Sequence, residues 1–478
     1  MKIKELWIEE YKILKDFNIA FEEQLTVLIG GNGSGKSTIL EFLSNVFYEL
    51  YKHFVLNKGE KPKFDFKIRY SIEVNNKEYE IYIASNKKTK EYYEVNIKKE
   101  EENSKKYSKT AINEEFKSAY KDIFPQNVVI YYSGISTILK DSFLSFQEKH
   151  ILASLNGEKK IEQPFFYFLP ENFSTILISL LAYQYGDIPE ILEKQFKISG
   201  FKEIVIKLKK PNWAKNEEFW GARGELKVFL EEAFKATKKS ENSQLSSDNI
   251  VFKYETKEEL EKLWSFYGEE KSLFQYLETL QANDLIEDIE IVLFKDGEEI
   301  SFKRLSEGEK QILIVYGLKE LLITENSLFL FDEPDTYLHP EWQKDFIEHL
   351  IKSDEKSKTN YFITSHSPNI ISGLHKNQLK IIENIDNKTS VREFSFNPYG
   401  KPVDMILIDY FGLKGLRYKE IDEKIQNLKK LLKTQNYDKN QFNNLLEELE
   451  NQIGRDDIDL LSIKLEKIRM EKANEKDK

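Results

Sequence analysis

With 478 residues, 40% of them hydrophobic and 32% charged, the chain has material for more than one folded core and does not read as disordered. A net charge of −11 argues against a surface coated in nucleic acid, and the absence of cysteine excludes disulfides, thiolate zinc sites, a cysteine nucleophile and a cysteine-based zinc hook. No apolar run approaches the roughly 18–20 residues needed to cross a bilayer, and MKIKELWIEEYKILKDF lacks a signal-peptide core, so a cytoplasmic protein is expected.

The opening alternates apolar and polar residues (Ile3, Leu6, Ile8, then Phe17, Ile19, Phe21), which predicts antiparallel strands with one buried face. Leu25 to Ile29 is a short apolar run suited to a fully buried strand. Gly30-Gly31-Asn32-Gly33-Ser34-Gly35-Lys36-Ser37 follows directly, and a helical pattern runs from Ser37 to about Tyr51. Strand, glycine-rich loop and helix make a phosphate-binding frame: the glycines let successive N–H groups turn on an anion, and the helix adds its positive end. In that frame Lys36 reaches the β- and γ-phosphates of ATP and Ser37 Oγ ligates Mg²⁺, with Gly30, Asn32, Gly33, Ser34, Gly35 and Thr38 completing the nucleotide-binding set.

Alternating segments from about Phe64 to Val95 predict a β meander, and the Lys/Glu-rich stretch 86–109 a solvated hairpin tip or loop. Val128–Tyr132 is another buried-strand candidate. Residues 140 to 285 mix helical patterns at 171–184 and 222–236 with one strand-like piece at 202–208, and carry no sustained heptads. That piece opens a basic stretch (Lys202, Lys207, Lys209, Lys210, Lys215, with Trp213 and Trp220 nearby) that could meet a phosphate backbone, although lysines also blunt exposed strand edges. Leu305-Ser306-Glu307-Gly308-Glu309-Lys310-Gln311 opens an apolar helix. Ser306 suits its N-cap and Glu309 a capping box, and a helix start bearing a serine and a glycine also suits a γ-phosphate.

Leu328 to Phe331 is a buried strand ending in Asp332-Glu333. A carboxylate there can hold Mg²⁺ beside the phosphate loop, and Glu333 can polarise an attacking water. Tyr361 to Thr364 is a strand running into Ser365-His366-Ser367-Pro368. Beyond Pro402 the pattern becomes amphipathic helices at roughly 418–434, 439–452 and 457–474, with Leu428, Leu431, Leu432, Leu445, Leu446 and Leu449 forming an apolar stripe that needs a surface to cover it. The simplest use of these helices is assembly.

These four motifs, in this order, resemble those of ABC-type ATPases over roughly 1–135 and 285–400. The resemblance implies an α/β ABC-ATPase head, a mixed sheet with a P-loop core, carrying a mainly helical insertion and a helical C-terminal tail. The corresponding organisation is an N-terminal ATPase lobe at 1–135, an insertion at 136–285, a C-terminal lobe at 286–400 and an assembly region at 401–478. It also implies catalytic roles for Lys36, Glu333 and the switch histidine His366, Mg²⁺ held by Ser37 and Asp332, and a site completed in trans by the signature, Leu305 to Gln311, through Ser306, Gly308 and Glu309 of a second copy. A homodimer or higher even-numbered assembly around ATP and Mg²⁺ is therefore expected. Two details depart from the transporter subunits: His339 stands where they carry an aspartate, and neither Gln126 nor Gln147 is a convincing glutamine-loop residue.

The D-E-P-x-x-x-L-H-P form is similar to the SMC, RecF and OLD branch. The chain has no room for SMC coiled coils, and its tail is too short and helical for the Toprim nuclease of OLD proteins. What it resembles within the branch is the PtuA group of Septu anti-phage ATPases, including the retron-associated form. That resemblance implies a separate HNH effector nuclease of the PtuB type as partner, a reverse transcriptase and its retron DNA in the retron form, no nuclease site of its own and no membrane. The alternative is a repair or chromosome-associated ATPase that clamps DNA directly through the basic stretch.

Overall fold

The computed structural model describes residues 1–55, 61–74, 76–89, 91–99, 103–108, 123–133, 164–182, 188–237, 244–245, 249–266, 270–282, 284–351, 358–434 and 438–476. Gln147 lies outside them. The chain divides into two compact units, Met1–Gly400 and Lys401–Lys478.

The first unit is an α/β assembly of three sheets. Strands β1 (Lys2–Tyr11) and β2 (Leu14–Ala20) form the antiparallel hairpin read from the alternation, and β1 pairs on its other side with β4 (Phe66–Val74). The sheet continues through β5 (Lys77–Ser85), β6 (Tyr93–Lys99) and β7 (Lys105–Tyr107), in the order β2-β1-β4-β5-β6-β7. The expectation of a solvated hairpin tip or loop over 86–109 is therefore corrected in extent: two antiparallel strands, β6 and β7, run through it. Their lysines and glutamates defeat a composition-based reading, while every second side chain of β6, Tyr93, Val95 and Ile97, turns into the core.

The second sheet holds the short apolar runs. Its order is β18-β17-β3-β16-β15-β8-β9, built from β3 (Leu25–Ile29), β8 (Val128–Tyr132), β9 (Phe165–Phe168), β15 (Leu328–Asp332), β16 (Asn360–Thr364), β17 (Leu379–Ile385) and β18 (Lys388–Arg392). All neighbours are parallel except β18. β3, β15 and β16 are buried at every residue, as strands covered on both faces must be. Helix α1 (Lys36–Phe54) fills the space between the two sheets, with Ile39, Phe42, Leu43, Val46, Phe47 and Leu50 in one core with Ile3, Leu6, Ile68 and Leu330.

The register aligns the carboxyl ends of the parallel strands: Leu28 and Asp332 both stand opposite Thr364, and Tyr132 opposite Asp332. Ligands of parallel sheets gather at that edge. Gln126 precedes β8 and so belongs to the opposite end of the sheet.

The third sheet joins the inserted stretch to the strands before the signature. Its order is β11-β12-β10-β13-β14, from β10 (Ile198–Lys209), β11 (Gln244–Leu245), β12 (Asn249–Tyr254), β13 (Ile286–Lys295) and β14 (Glu298–Ser301). The reading of 202–208 as an exposed edge is corrected, since β10 is the central strand. Its lysines pair across the sheet or to the turn before it: Lys202 with Glu299 at 2.6 Å, Lys207 with Glu290 at 3.4 Å and Lys209 with Asp284 at 2.7 Å. Trp220 is buried rather than displayed. Helices α2 (Phe173–Ala182), α3 (Gly224–Ala236), α4 (Lys257–Ser265) and α5 (Glu270–Ala282) accompany this sheet. α2 packs on the signature helix α6 (Glu307–Leu322) so closely that a Cβ on Gly317 would meet Ile176 Cγ2 at 2.8 Å. Two further helices of this unit, α7 (Pro340–Ile351) and α8 (Pro368–Ser372), flank β16 in sequence.

The second unit is a helical bundle of α9 (Val403–Asp409), α10 (Lys419–Lys433), α11 (Lys439–Ile453) and α12 (Ile458–Lys476). Asp438 caps α11 through the backbone N–H groups of Asn440 and Gln441, and Gly454, at φ 92°, ends it. Ile425, Leu428, Leu432, Phe442, Leu449, Leu460 and Ile463 form the core, with Leu431, Leu445 and Leu446 packed at its margin. The predicted leucine stripe is thus covered inside the unit. The apolar residues left outside include a different row, Ile458, Leu461, Leu465 and Ile468 on α12. Among the described residues no helix is long and apolar enough to cross a membrane.

Candidate functional site

The glycine-rich loop leaves β3 with positive φ at Gly30, Gly33 and Gly35, which brings backbone N–H groups together in an anion-binding concavity. Gly30 is irreplaceable on packing grounds as well, because a Cβ there would lie 2.1 Å from the carbonyl oxygen of Ile382. Asn32 and Gly33 form the exposed tip, and Thr38 sits half-buried in the first turn of α1. Lys36 is buried, and its ammonium donates to the carbonyls of Gly30 and Gly31 at 3.0 and 3.2 Å. Burial lowers its pKa, against the opposing pull of Glu333 and Asp332.

Opposite the loop, Ser37 Oγ donates to Asp332 Oδ1 at 2.8 Å, and Thr364 Oγ1 donates to the same oxygen at 2.6 Å. Thr364 also accepts from the backbone N–H of Glu333 at 2.9 Å, so one hydroxyl orients both members of the acidic pair. Burial raises the pKa of Asp332, with the two hydroxyl donors working against it. Glu333 adopts φ 50°, a left-handed conformation that costs a residue other than glycine about 1–3 kcal/mol and that concentrates at functional turns. Its Oε1 lies 3.5 Å from His366 Nε2, with both side chains about two-fifths exposed. Burial and then the charge on Lys36 lower the pKa of His366, favouring a neutral imidazole.

The structure thus brings Lys36, Ser37, Asp332, Glu333 and His366 to one edge of the parallel sheet. This set fits a nucleoside triphosphate with a divalent cation. Ser34 Oγ is buried without a hydrogen-bond partner beside the phosphate loop, and the facing Ser37 hydroxyl and Asp332 carboxylate are hard oxygen donors. Ser306, Gly308 and Glu309 are not part of this cluster as ligating groups. They form the N-terminus of α6, where the expected capping box is present: Ser306 Oγ accepts from the Glu309 N–H at 3.3 Å, and Glu309 Oε2 accepts from the Ser306 N–H at 2.8 Å.

Several residues were not legible in the sequence as part of the site. Thr364 was visible only as the end of a strand. Gln311, buried in α6, donates from Nε2 to the Glu333 carbonyl at 3.3 Å and accepts the Tyr337 N–H at 2.9 Å. With Gly308, whose Cβ would stand 2.7 Å from the Tyr337 carbonyl oxygen, it docks the signature helix onto the turn that follows Glu333. Asp335 in that turn is buried, takes a 2.8 Å hydrogen bond from Ser365 Oγ, and has its pKa pushed up to about 6 by burial. The β1–β2 turn also closes on the loop, with Ile13 and Leu14 carbons 3.1 and 3.3 Å from where a Gly35 Cβ would be. The only early signal for any of these is the spacing of Gln311, one helical turn past Gly308.

Among known proteins, the chain is similar to the Retron Vc95 probable ATPase of Vibrio cholerae serotype O1 biovar El Tor, at 29% identity over 124 residues, covering 24% of each. It is similar to the Septu protein PtuA of Bacillus thuringiensis at 33% identity over 168 residues, covering 31% of this chain and 42% of that one. It spans less than half the length of both relatives. The backbone is similar to the SMC head domain from Thermotoga maritima, with a TM-score of 0.35 and 12% identity, covering 83% of this chain and 100% of that one. The profile described as AAA ATPase domain matches residues 1–371, and the chain belongs to that family.

Proposed function

We propose that this protein hydrolyses ATP as a paired ATPase of a bacterial anti-phage defence complex and governs a separate effector nuclease through its nucleotide state. The observation that carries the enzymatic part is the convergence of Lys36, Ser37, Asp332, Glu333 and His366 at one sheet edge. The defence part rests on the similarity to the Septu and retron ATPases. An HNH nuclease of the PtuB type is the partner this reading names, with a reverse transcriptase and its DNA in a retron setting.

Ser37 and Asp332 would hold Mg²⁺, which when bound offsets phosphate charge. The loop backbone, Gly30 to Ser37 with Thr38, seats the triphosphate, and Lys36 exchanges its loop carbonyls for β- and γ-phosphate oxygens. Glu333 accepts a proton from a water as the water oxygen bonds to the γ-phosphorus. The bond from that phosphorus to the bridging oxygen breaks, leaving ADP and phosphate. The neutral His366 beside Glu333 contacts the γ-phosphate. Ser306, Gly308 and Glu309 of a second copy complete the site, so the even-numbered assembly is part of the chemistry. Residues 1–135 and 286–400 act as the two lobes of the head, 136–285 as an accessory region and 401–478 as an assembly region.

Direct clamping of DNA through the basic stretch has the weaker support, since Lys202, Lys207 and Lys209 each already face a carboxylate.

The deciding measurement is solution mass and ATP turnover for wild type and Glu333→Gln, each with and without ATP and Mg²⁺. Glu333→Gln should turn over at least about a hundredfold more slowly and accumulate an ATP-dependent paired species, with a nuclease recovered from the native operon. Unchanged mass with ATP in both proteins would refute the split-site reading.

A further inference from the structure

Two carboxylates, Glu307 and Glu309, occupy the first turn of α6, the helix end assigned above to the γ-phosphate bound by a second copy. Negative charge at a helix N-terminus suits the dipole but opposes an arriving triphosphate. Each carboxylate has a lysine. For Glu307 it is local, Lys310 at 2.8 Å one turn along the same helix.

For Glu309 it comes from elsewhere. Lys295, the last residue of β13, places Nζ 3.2 Å from Glu309 Oε1, and both side chains are largely withdrawn from solvent. Lys295 belongs to the third sheet, an accessory to the parallel one, and is itself fixed there, donating to the carbonyl of Phe196 just before β10 at 3.1 Å and to Asp296 at 3.4 Å. The other oxygen of Glu309 is committed to Ser306, accepting its N–H at 2.8 Å and its hydroxyl at 2.9 Å. One carboxylate therefore joins the accessory sheet to the signature serine. Burial alone would raise the pKa of Glu309, and the bonds from Ser306 and Lys295 outweigh it and hold the group below the usual range, so it is ionised at neutral pH.

We propose that Lys295 is a positioning and charge-compensating residue for the signature: by pairing with Glu309 it neutralises the carboxylate nearest the incoming γ-phosphate and steadies the Ser306 cap. The accessory sheet thereby sets how well one copy completes the site of the other. This rests on the split-site reading. Without Lys295, a half-buried carboxylate stands uncompensated beside the serine, and repulsion is felt when two copies close around ATP, not when ATP enters the phosphate loop of one.

The test uses the full chain as wild type, Lys295→Met, Lys295→Arg, Glu309→Gln, the double variant Lys295→Met/Glu309→Gln, and Ser306→Arg as reference. Binding of a fluorescent ATP analogue at low protein concentration is read beside steady-state hydrolysis. Lys295→Met should lose about tenfold in kcat with nucleotide binding unchanged, and Lys295→Arg should stay within about threefold of wild type. The two substitutions should be far from additive: once Glu309→Gln has removed the charge, Lys295→Met should cost little more, so the double variant should turn over about as fast as Glu309→Gln alone. Wild-type turnover in Lys295→Met, or a double variant slower than Glu309→Gln by the full factor that Lys295→Met costs alone, would overturn the proposal. Ser306→Arg separates the two levels: wild-type turnover there sinks the split-site reading, whereas an inactive Ser306→Arg beside an unaffected Lys295→Met sinks only the role of Lys295. Should Lys295→Met fail to fold, Lys295→Gln takes its place in the same comparison.

Discussion

Asp335 is held in the turn after Glu333 with Oδ2 bonded by Ser365 and Oδ1 buried without a partner. Burial pushes its pKa up to about 6 from an ordinary 3.8. Between those values the folded state binds more protons than the unfolded one, so this residue's contribution is present at low pH and is lost as pH rises through about 6. Asp335→Asn removes that loss. Its unfolding free energy relative to wild type, read from denaturant melts, should climb between pH 4 and 6 and level off above, toward a ceiling of about 3 kcal/mol. A flat difference across pH would mean the carboxyl titrates normally. His366 has the opposite sign: its lowered pKa means the unfolded chain takes the proton first, so its share of stability is lost as pH falls below the ordinary imidazole range. The residues that a sequence motif could name are those whose chemistry is local, such as Lys36 and Ser37 on one loop. Thr364, Gln311 and Lys295 act across gaps in the chain of 32, 22 and 14 residues, to Asp332, Glu333 and Glu309, and apart from the place of Gln311 one turn past Gly308 no spacing marks them.

Helix α6 is the element through which the site is organised. Its N-terminus carries the capping box, its buried face meets α2 at Gly317, and Gln311 spans from it to the turn after Glu333. Replacing Gln311 by leucine strands a backbone N–H and a carbonyl, and should cost about 1–3 kcal/mol in denaturant melts. It should also slow turnover more than it weakens ATP binding, since the P-loop contacts are untouched; equal losses in both would argue that the bridge merely supports the fold. Elements with a local pattern were readable. The C-terminal helices lie within a residue or two of their expected bounds because Asp438 and Gly454 punctuate them. The accessory sheet was not readable, because β10 finds β13 across some eighty residues and sets its exposed lysines against carboxylates of other strands, pairs that the sequence displays only as charge.

At the scale of the whole molecule, the division at Gly400 separates the sheet-bearing unit from a bundle with its own core. A chain ending at Gly400 should bind ATP with unchanged affinity, since every residue of the candidate site precedes the cut. It should fall short of the full-length mass in solution, which light scattering with ATP and Mg²⁺ would read. Full assembly by the shortened chain would remove 401–478 from that role. The exposed row on α12 is the part of the bundle to alter next.

The bond from Gln311 to the Glu333 carbonyl also has a genetic meaning. On the proposed split site, each chain would tie the helix it lends to its neighbour to the turn it uses itself. In a pair built on the split site, a copy whose Gln311 bridge is broken would not fail alone but would distort what it offers the intact copy. A faulty allele carried beside a sound one would then behave as dominant, and defence would be lost in a cell that still makes good protein.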